Sequence, residues 1–181
     1  MLLPSLMKPK SMASSAVVAA LYFVLSLVLG PLSNIGPSLV SIRVSDALLL
    51  VAPATVGLAP AVVGTAVGCL IWNAYSGLPA VDIVGGSLAN ALASAAAYIV
   101  LKSMARGRRR IGWAPSLAAG AASASIVTVI VGSYVIYLYS LPYALTYASL
   151  LASELVSIAA VGSAVLVFLE KRGMLLALTS P

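Results

Sequence analysis

The sequence predicts an all-α membrane protein, a six-transmembrane-helix bundle with its N and C termini cytoplasmic. Three observations carry that expectation. First, the 181 residues are 62% apolar and only 8% charged, with a mean hydropathy of +1.13, against about 45–50% apolar and about 25% charged in soluble domains. Second, six apolar runs follow one another, with proline at nearly every junction. Third, nine of the ten basic residues fall in three segments that six crossings place on the same side. Six helices of about 20 residues use roughly 120 residues, which leaves room for tails and connections but none for a soluble domain. Residues 1–181 therefore read as a single integral membrane domain.

The first run, about 12–30, follows Lys8 and Lys10 as the core of a secretory signal would. A cleavage site with a polar mature chain behind it does not follow, so the run reads as a first helix. Pro31 and Pro37 close it. The second run, about 44–58, is short for a crossing and holds Pro53, which should kink or shorten it. Pro60 opens the third run, about 60–76, and Pro79 precedes the fourth, about 81–101. The fifth spans about 115–139 from Pro115, and the sixth about 142–169 from Pro142. That last run is long enough to tilt or to begin above the membrane surface. β-Barrel strands would alternate in polarity over roughly ten residues, whereas these runs are continuous and rich in Ala, Leu and Val.

The bases set the orientation. Lys8 and Lys10 precede the first helix, Lys102, Arg106, Arg108, Arg109 and Arg110 join the fourth to the fifth, and Lys171 and Arg172 follow the sixth. The positive-inside rule puts all three segments in the cytoplasm, with Trp113 beside the central loop as an interfacial anchor. The basic loop reads as topogenic rather than as a nucleic-acid site. Enzyme chemistry has little to work with, since the chain has no His, one cysteine (Cys69) and four acids. A His triad, a Cys/His zinc site and a disulfide framework are excluded by counting, and no GxxxxGK[ST] or HExxH segment occurs. No enzyme, cofactor or metal site is expected. Uphill movement of a solute would need a partner or an ion gradient.

Topology leaves Arg43, Asp46, Asp82 and Glu154 unexplained, all towards the half opposite the basic segments. A charge at mid-bilayer costs about 2.5–3.5 kcal/mol on insertion scales, so such residues are paired or functional. Arg43 and Asp46, three apart, form either a local ion pair that staples the first loop or part of a polar ligand pocket; the pocket reading is preferred. Asp82, Gly86 and Asn90 share one face of the fourth helix. Asn73 stands near the outer end of the third, between Trp72 and Tyr75, and Glu154 lies well inside the sixth beside Ser153 and Ser157. Tyr134, Tyr137, Tyr139, Tyr143 and Tyr147 bracket the last turn, as an interfacial belt or as a stacking surface for a planar ligand. Gly64–Gly68 and Ala16–Ala20 have the small-xxx-small spacing that lets helices approach closely in lipid.

Several of these segments, in order, resemble the substrate-binding subunits for queuosine precursors (QueT type) of energy-coupling factor (ECF) transporters. They are Ala19-Ala-Leu-Tyr22, Pro31-Leu-Ser33, Arg43-Val-Ser-Asp-Ala-Leu48, Gly64-x3-Gly68-Cys-x3-Asn73, Asp82-x2-Gly-Gly-Ser-Leu-Ala89 and Ser153-Glu-Leu-Val156. The resemblance implies a six-helix subunit in the plasma membrane that captures a vitamin-like solute. Such a subunit docks on a transmembrane coupling protein driven by two cytoplasmic ATPase subunits. It assigns Ala16 and Ala20 to the docking face and implies a 7-deazapurine-like solute. Asp46 stands where the family commonly has Glu, and Ser41 where Gln is common. The chemistry fits such a ring: Glu154, Asp82 or Asp46 for its N–H donors, Arg43 or Asn73 for its carbonyl, Trp72 or a tyrosine for its face, with Asn90 on the Asp82 face also among the substrate-binding candidates. Two other readings compete, a self-sufficient carrier coupled to protons through Glu154 and a ligand-free scaffold.

Overall fold

The computed structural model describes residues 8–33, 42–105 and 111–175, and every regular element among them is helical. Helix α1 spans Pro9–Ser33. A 3-10 turn, Val44–Ala47, leads into α2, Leu48–Val56. Then follow α3 (Leu58–Tyr75), α4 (Ala80–Ala105), α5 (Trp113–Tyr139) and α6 (Tyr143–Lys171). The middle of α6, Leu155–Gly162, is π-helical.

Five helices are long and apolar enough to cross a bilayer; the apolar segment Val44–Val56 is shorter. At about 2.0 Å per residue in the 3-10 turn and about 1.5 Å in α2, it covers roughly 22 Å of a hydrocarbon core of about 30 Å. The division between α2 and α3 lies earlier than the proline pattern suggests. Gly57, with φ of 89°, makes the break, and Pro60 sits in the first turn of α3, where its missing N–H has no helical partner to lose.

Glycine decides the closest helix contacts. A Cβ at Gly64 would lie 2.6 Å from Val18 Cβ, and one at Gly68 would lie 2.7 Å from Tyr22 Cβ. The Gly64–Gly68 pair therefore seats α1 on α3, as small-residue spacing allows. Ala16 and Ala20 do the opposite and face outward, exposed, with Val17, Leu21 and Val24. The spacing on α1 is thus not used for packing inside the bundle.

Because the chain reverses at each connection, α1 begins, and α4 and α6 end, at one end of the bundle. Lys8, Lys10, Lys102, Lys171 and Arg172 are exposed there, and this is called the inner end below. Pro37, Ser41, Arg106, Arg108, Arg109 and Arg110 lie outside the described residues. An apolar cluster that runs from Leu49 and Leu50 at the start of α2 buries Leu101, Ile111 and Leu166 towards the inner end. There the Glu170 carboxylate of α6 accepts hydrogen bonds from the backbone N–H groups of Ile111 and Gly112 (3.1 Å for Gly112). Those N–H groups lead into α5 and carry partial positive charge, so a carboxylate satisfies them twice over.

Candidate ligand cavity

At the opposite, outer end, the start of the second apolar segment, α3, α4, α5 and α6 enclose a cavity of about 290 Å³. That volume sits at the small end of the range for ligand sites, about 300–1,000 Å³. The short second segment brings Arg43 and Asp46 to its wall, within one 3-10 turn tightened by the Asp46 N–H to Arg43 carbonyl bond of 2.9 Å. Cys69 and Asn73, one helical turn apart, come from α3, and Asp82, Gly86 and Asn90 from successive turns of α4. Val127, Val131 and Tyr134 close the side made by α5, while Thr146, Ser149 and Glu154 come from α6. Leu78 and Leu141, from the two outer turns, complete it.

Helices can carry so many polar groups to one space only where neighbours approach closely. Gly85 and Gly86 provide that approach. A Cβ at Gly85 would lie 2.7 Å from the Tyr134 ring, and one at Gly86 would lie 2.8 Å from the Asn73 amide nitrogen. With both side chains reduced to hydrogen, the Tyr134 hydroxyl donates to Asp82 Oδ1 at 2.9 Å, and Asn73 Nδ2 donates to the Asp82 carbonyl at 3.0 Å. Asp46 is held from the other side. The hydroxyl of Tyr22, a fully buried residue of α1, donates to Asp46 Oδ1.

Asp46, Asn73, Asp82, Asn90 and Glu154 are between 1% and 8% exposed, so each polar group there has lost its water. Among the described residues, three of their side-chain atoms have no hydrogen-bond partner: Asn73 Oδ1, Asn90 Nδ2 and Glu154 Oε2. A buried unsatisfied group costs about 1–3 kcal/mol, and more when it is charged. Three such atoms on one cavity wall are what a site looks like when a ligand completes it.

Of the residues singled out from sequence, the structure brings Arg43, Asp46, Asn73, Asp82, Asn90 and Glu154 together around this cavity. Trp72 does not line it. Its ring packs edge-on against Phe23 (centroids 6.3 Å apart) and lies near Gly30, on the α1 side of α3. Neighbouring residues on a helix point about 100° apart, so with Asn73 turned to the cavity Trp72 is turned away. The tyrosines divide. Tyr134 and Tyr139 line the cavity, Tyr147 packs on Gly132, and exposed Tyr137 and Tyr143 share a 2.7 Å hydrogen bond. Tyr22, Cys69, Thr146 and Ser149 had not been singled out as site residues. The Gly85-Gly86 pair inside an otherwise regular helix was the one signal that a bulky group approaches there.

Searches of curated proteins and of solved structures gave no significant match. A family model described as QueT transporter matches residues 12–171, nearly nine-tenths of the chain. Together with five helices able to span a bilayer and a polar cavity enclosed among them, this establishes that the chain belongs to the QueT transporter family and is a multi-pass transporter of the plasma membrane.

Proposed function

We propose that this chain is the substrate-binding subunit of an ATP-driven ECF importer, and that its solute is a queuosine precursor with a 7-deazaguanine-like ring. The observation that carries the reading is the cavity wall on which Asn73 Oδ1, Asn90 Nδ2 and Glu154 Oε2 stand buried without partners among the described residues. The ring offers N–H donors on one edge and a carbonyl acceptor on the other. Glu154, Asp82 and Asn73 Oδ1 suit the donors; Asn90 Nδ2 or Arg43 suits the carbonyl. Tyr134, rather than Trp72, supplies the aromatic face. Asp46, pinned by Tyr22, orients Arg43 across the 3-10 turn.

In this reading the cavity opens to the outside and both termini are cytoplasmic, as the bases at the inner end support. The exposed Ala16–Ala20 face of α1 meets the transmembrane coupling protein, and two cytoplasmic ATPase subunits supply the energy. The single domain has no motor of its own. The test is thermal melting of the purified protein with candidate solutes, paired with identification of the molecule that co-purifies. A 7-deazaguanine at 100 times its Kd should add about 2.7 kcal/mol of stability. Stabilisation by an unrelated vitamin alone would change the solute. ATP-independent, pH-gradient-driven uptake by the protein alone in liposomes would replace the importer subunit with a self-sufficient carrier working through Glu154.

A further inference from the structure

The cavity holds three carboxyl groups, Asp46, Asp82 and Glu154, against one guanidinium, Arg43. Among the described residues the remaining bases do not correct that imbalance. Lys102 lies twenty residues beyond Asp82 on α4, about 30 Å along the axis, and exposed charges so far away are screened. Nor are the three carboxyl groups equally engaged. Asp46 is taken by the Tyr22 hydroxyl and stands next to Arg43; Asp82 is taken by the Tyr134 hydroxyl. Glu154, 6% exposed, keeps Oε2 without a partner, as Asn73 keeps Oδ1. Among the described residues, two of the three unpartnered buried atoms on the wall are thus acceptors, and one, Asn90 Nδ2, is a donor. A dehydrated carboxylate is stable only when a positive charge or several donors meet it. An anionic solute would worsen the imbalance, and a neutral one would leave it.

From this excess of carboxyl groups over basic groups, and from the unpartnered Glu154, we infer that the cavity selects a cation. Within the heterocycle class, it takes a ring bearing a protonated amine over the same ring bearing an uncharged substituent, and Glu154 is the group that meets the ammonium. The inference rests on the proposed function and adds the charge state of the solute. An ammonium donates up to three hydrogen bonds, enough to reach Glu154 Oε2 and a second acceptor while the ring edge uses the amides. It also supplies the second positive charge that the three carboxyl groups lack.

The test uses the intact protein in nanodiscs and two probes with one ring, 7-aminomethyl-7-deazaguanine, a cation at neutral pH, and 7-cyano-7-deazaguanine, which is neutral. Calorimetry should show the aminomethyl compound binding on the order of 10- to 100-fold more tightly, the worth of hydrogen bonds to a charged group. In Glu154→Gln, which keeps the shape but removes the charge, the two affinities should converge. Equal affinities in the unaltered protein, or a preference for the cyano compound, would overturn the selection while leaving the solute class intact. A preference undiminished in Glu154→Gln would overturn the role of Glu154. Binding of neither probe would instead overturn the proposed function, and this inference with it. The wild-type ratio is decisive even if the variant does not fold.

Discussion

At the inner end of the bundle, Leu101, Ile111 and Leu166 are buried in one apolar cluster, and Glu170 satisfies the N–H groups that lead into α5. At the outer end the same helices stand apart around 290 Å³, and Asn73, Asn90 and Glu154 keep buried atoms unpartnered. Both ends depend on glycine for close contact: Gly120 against Ala159 towards the inner side, Gly68, Gly85 and Gly86 around the cavity. The difference lies in what the close contact is used for. Gly120 brings backbone to backbone, which yields packing and nothing else. Gly85 and Gly86 admit a phenol and an amide, which position Asp82 on the cavity wall. One end packs where polarity is absent or capped, and the other leaves polar atoms open beside a cavity.

The largest test of this division is at Glu154. Glu154→Ala should lower solute affinity by 2–5 kcal/mol, the range for truncating one partner of a buried charged contact, while the apo protein still inserts and melts cooperatively; calorimetry and a melting curve read the two effects. Unchanged affinity would remove Glu154 from the site. Next come two glycine variants that separate the ends. Gly120→Ala and Gly68→Ala should each cost about 1–3 kcal/mol of stability through overpacking. Only Gly68→Ala should also weaken solute binding, because its new methyl displaces Tyr22 and with it Asp46. Equal losses of affinity in both would erase the distinction between the ends. Tyr22→Phe is gentler. It keeps the buried ring and removes the hydroxyl on Asp46, and should lower affinity by about 1.5–3 kcal/mol at most. The smallest effect belongs to Glu170→Ala, which should cost roughly 0.5–2 kcal/mol of thermal stability, as loss of a helix cap does, with solute affinity unaltered.

Much of this molecule was legible before the structure, for reasons that the two ends make clear. Continuous apolar runs and their proline stops locate helices well because lipid leaves the backbone no alternative; the run about 81–101 appears as Ala80–Ala105, and about 115–139 as Trp113–Tyr139. The break before α3 was displaced because a proline is harmless in the first turn of a helix, while Gly57 carries the positive φ. Arg43, Asp46, Asp82 and Glu154 stood out because charge is costly in a membrane. Trp72 was drawn into the site by its neighbour Asn73, although adjacency in a helix turns two side chains apart. Tyr134 was hidden among tyrosines that look alike at a membrane surface. The Tyr22–Asp46 contact joins residues twenty-four apart on different helices, and no periodicity within one helix encodes such a partner.

The π-helical stretch in α6 acquires a meaning from the way α5 and α6 are fastened. A three-residue turn, Ser140–Pro142, joins them at the outer end, and the Glu170 carboxylate ties them at the inner end. Two rods fastened at both ends must agree in length. As ideal α-helices, the 27 residues of α5 and the 29 of α6 would measure about 40 and 43 Å. A π turn holds more residues for less axial rise, so Leu155–Gly162 shortens the longer rod towards the shorter, and it begins directly after Glu154. The mismatch between the two helices is thereby taken up directly below Glu154, like slack in a turnbuckle. One residue added or removed far below the cavity, between Ser163 and Glu170, would change the mismatch that these turns absorb.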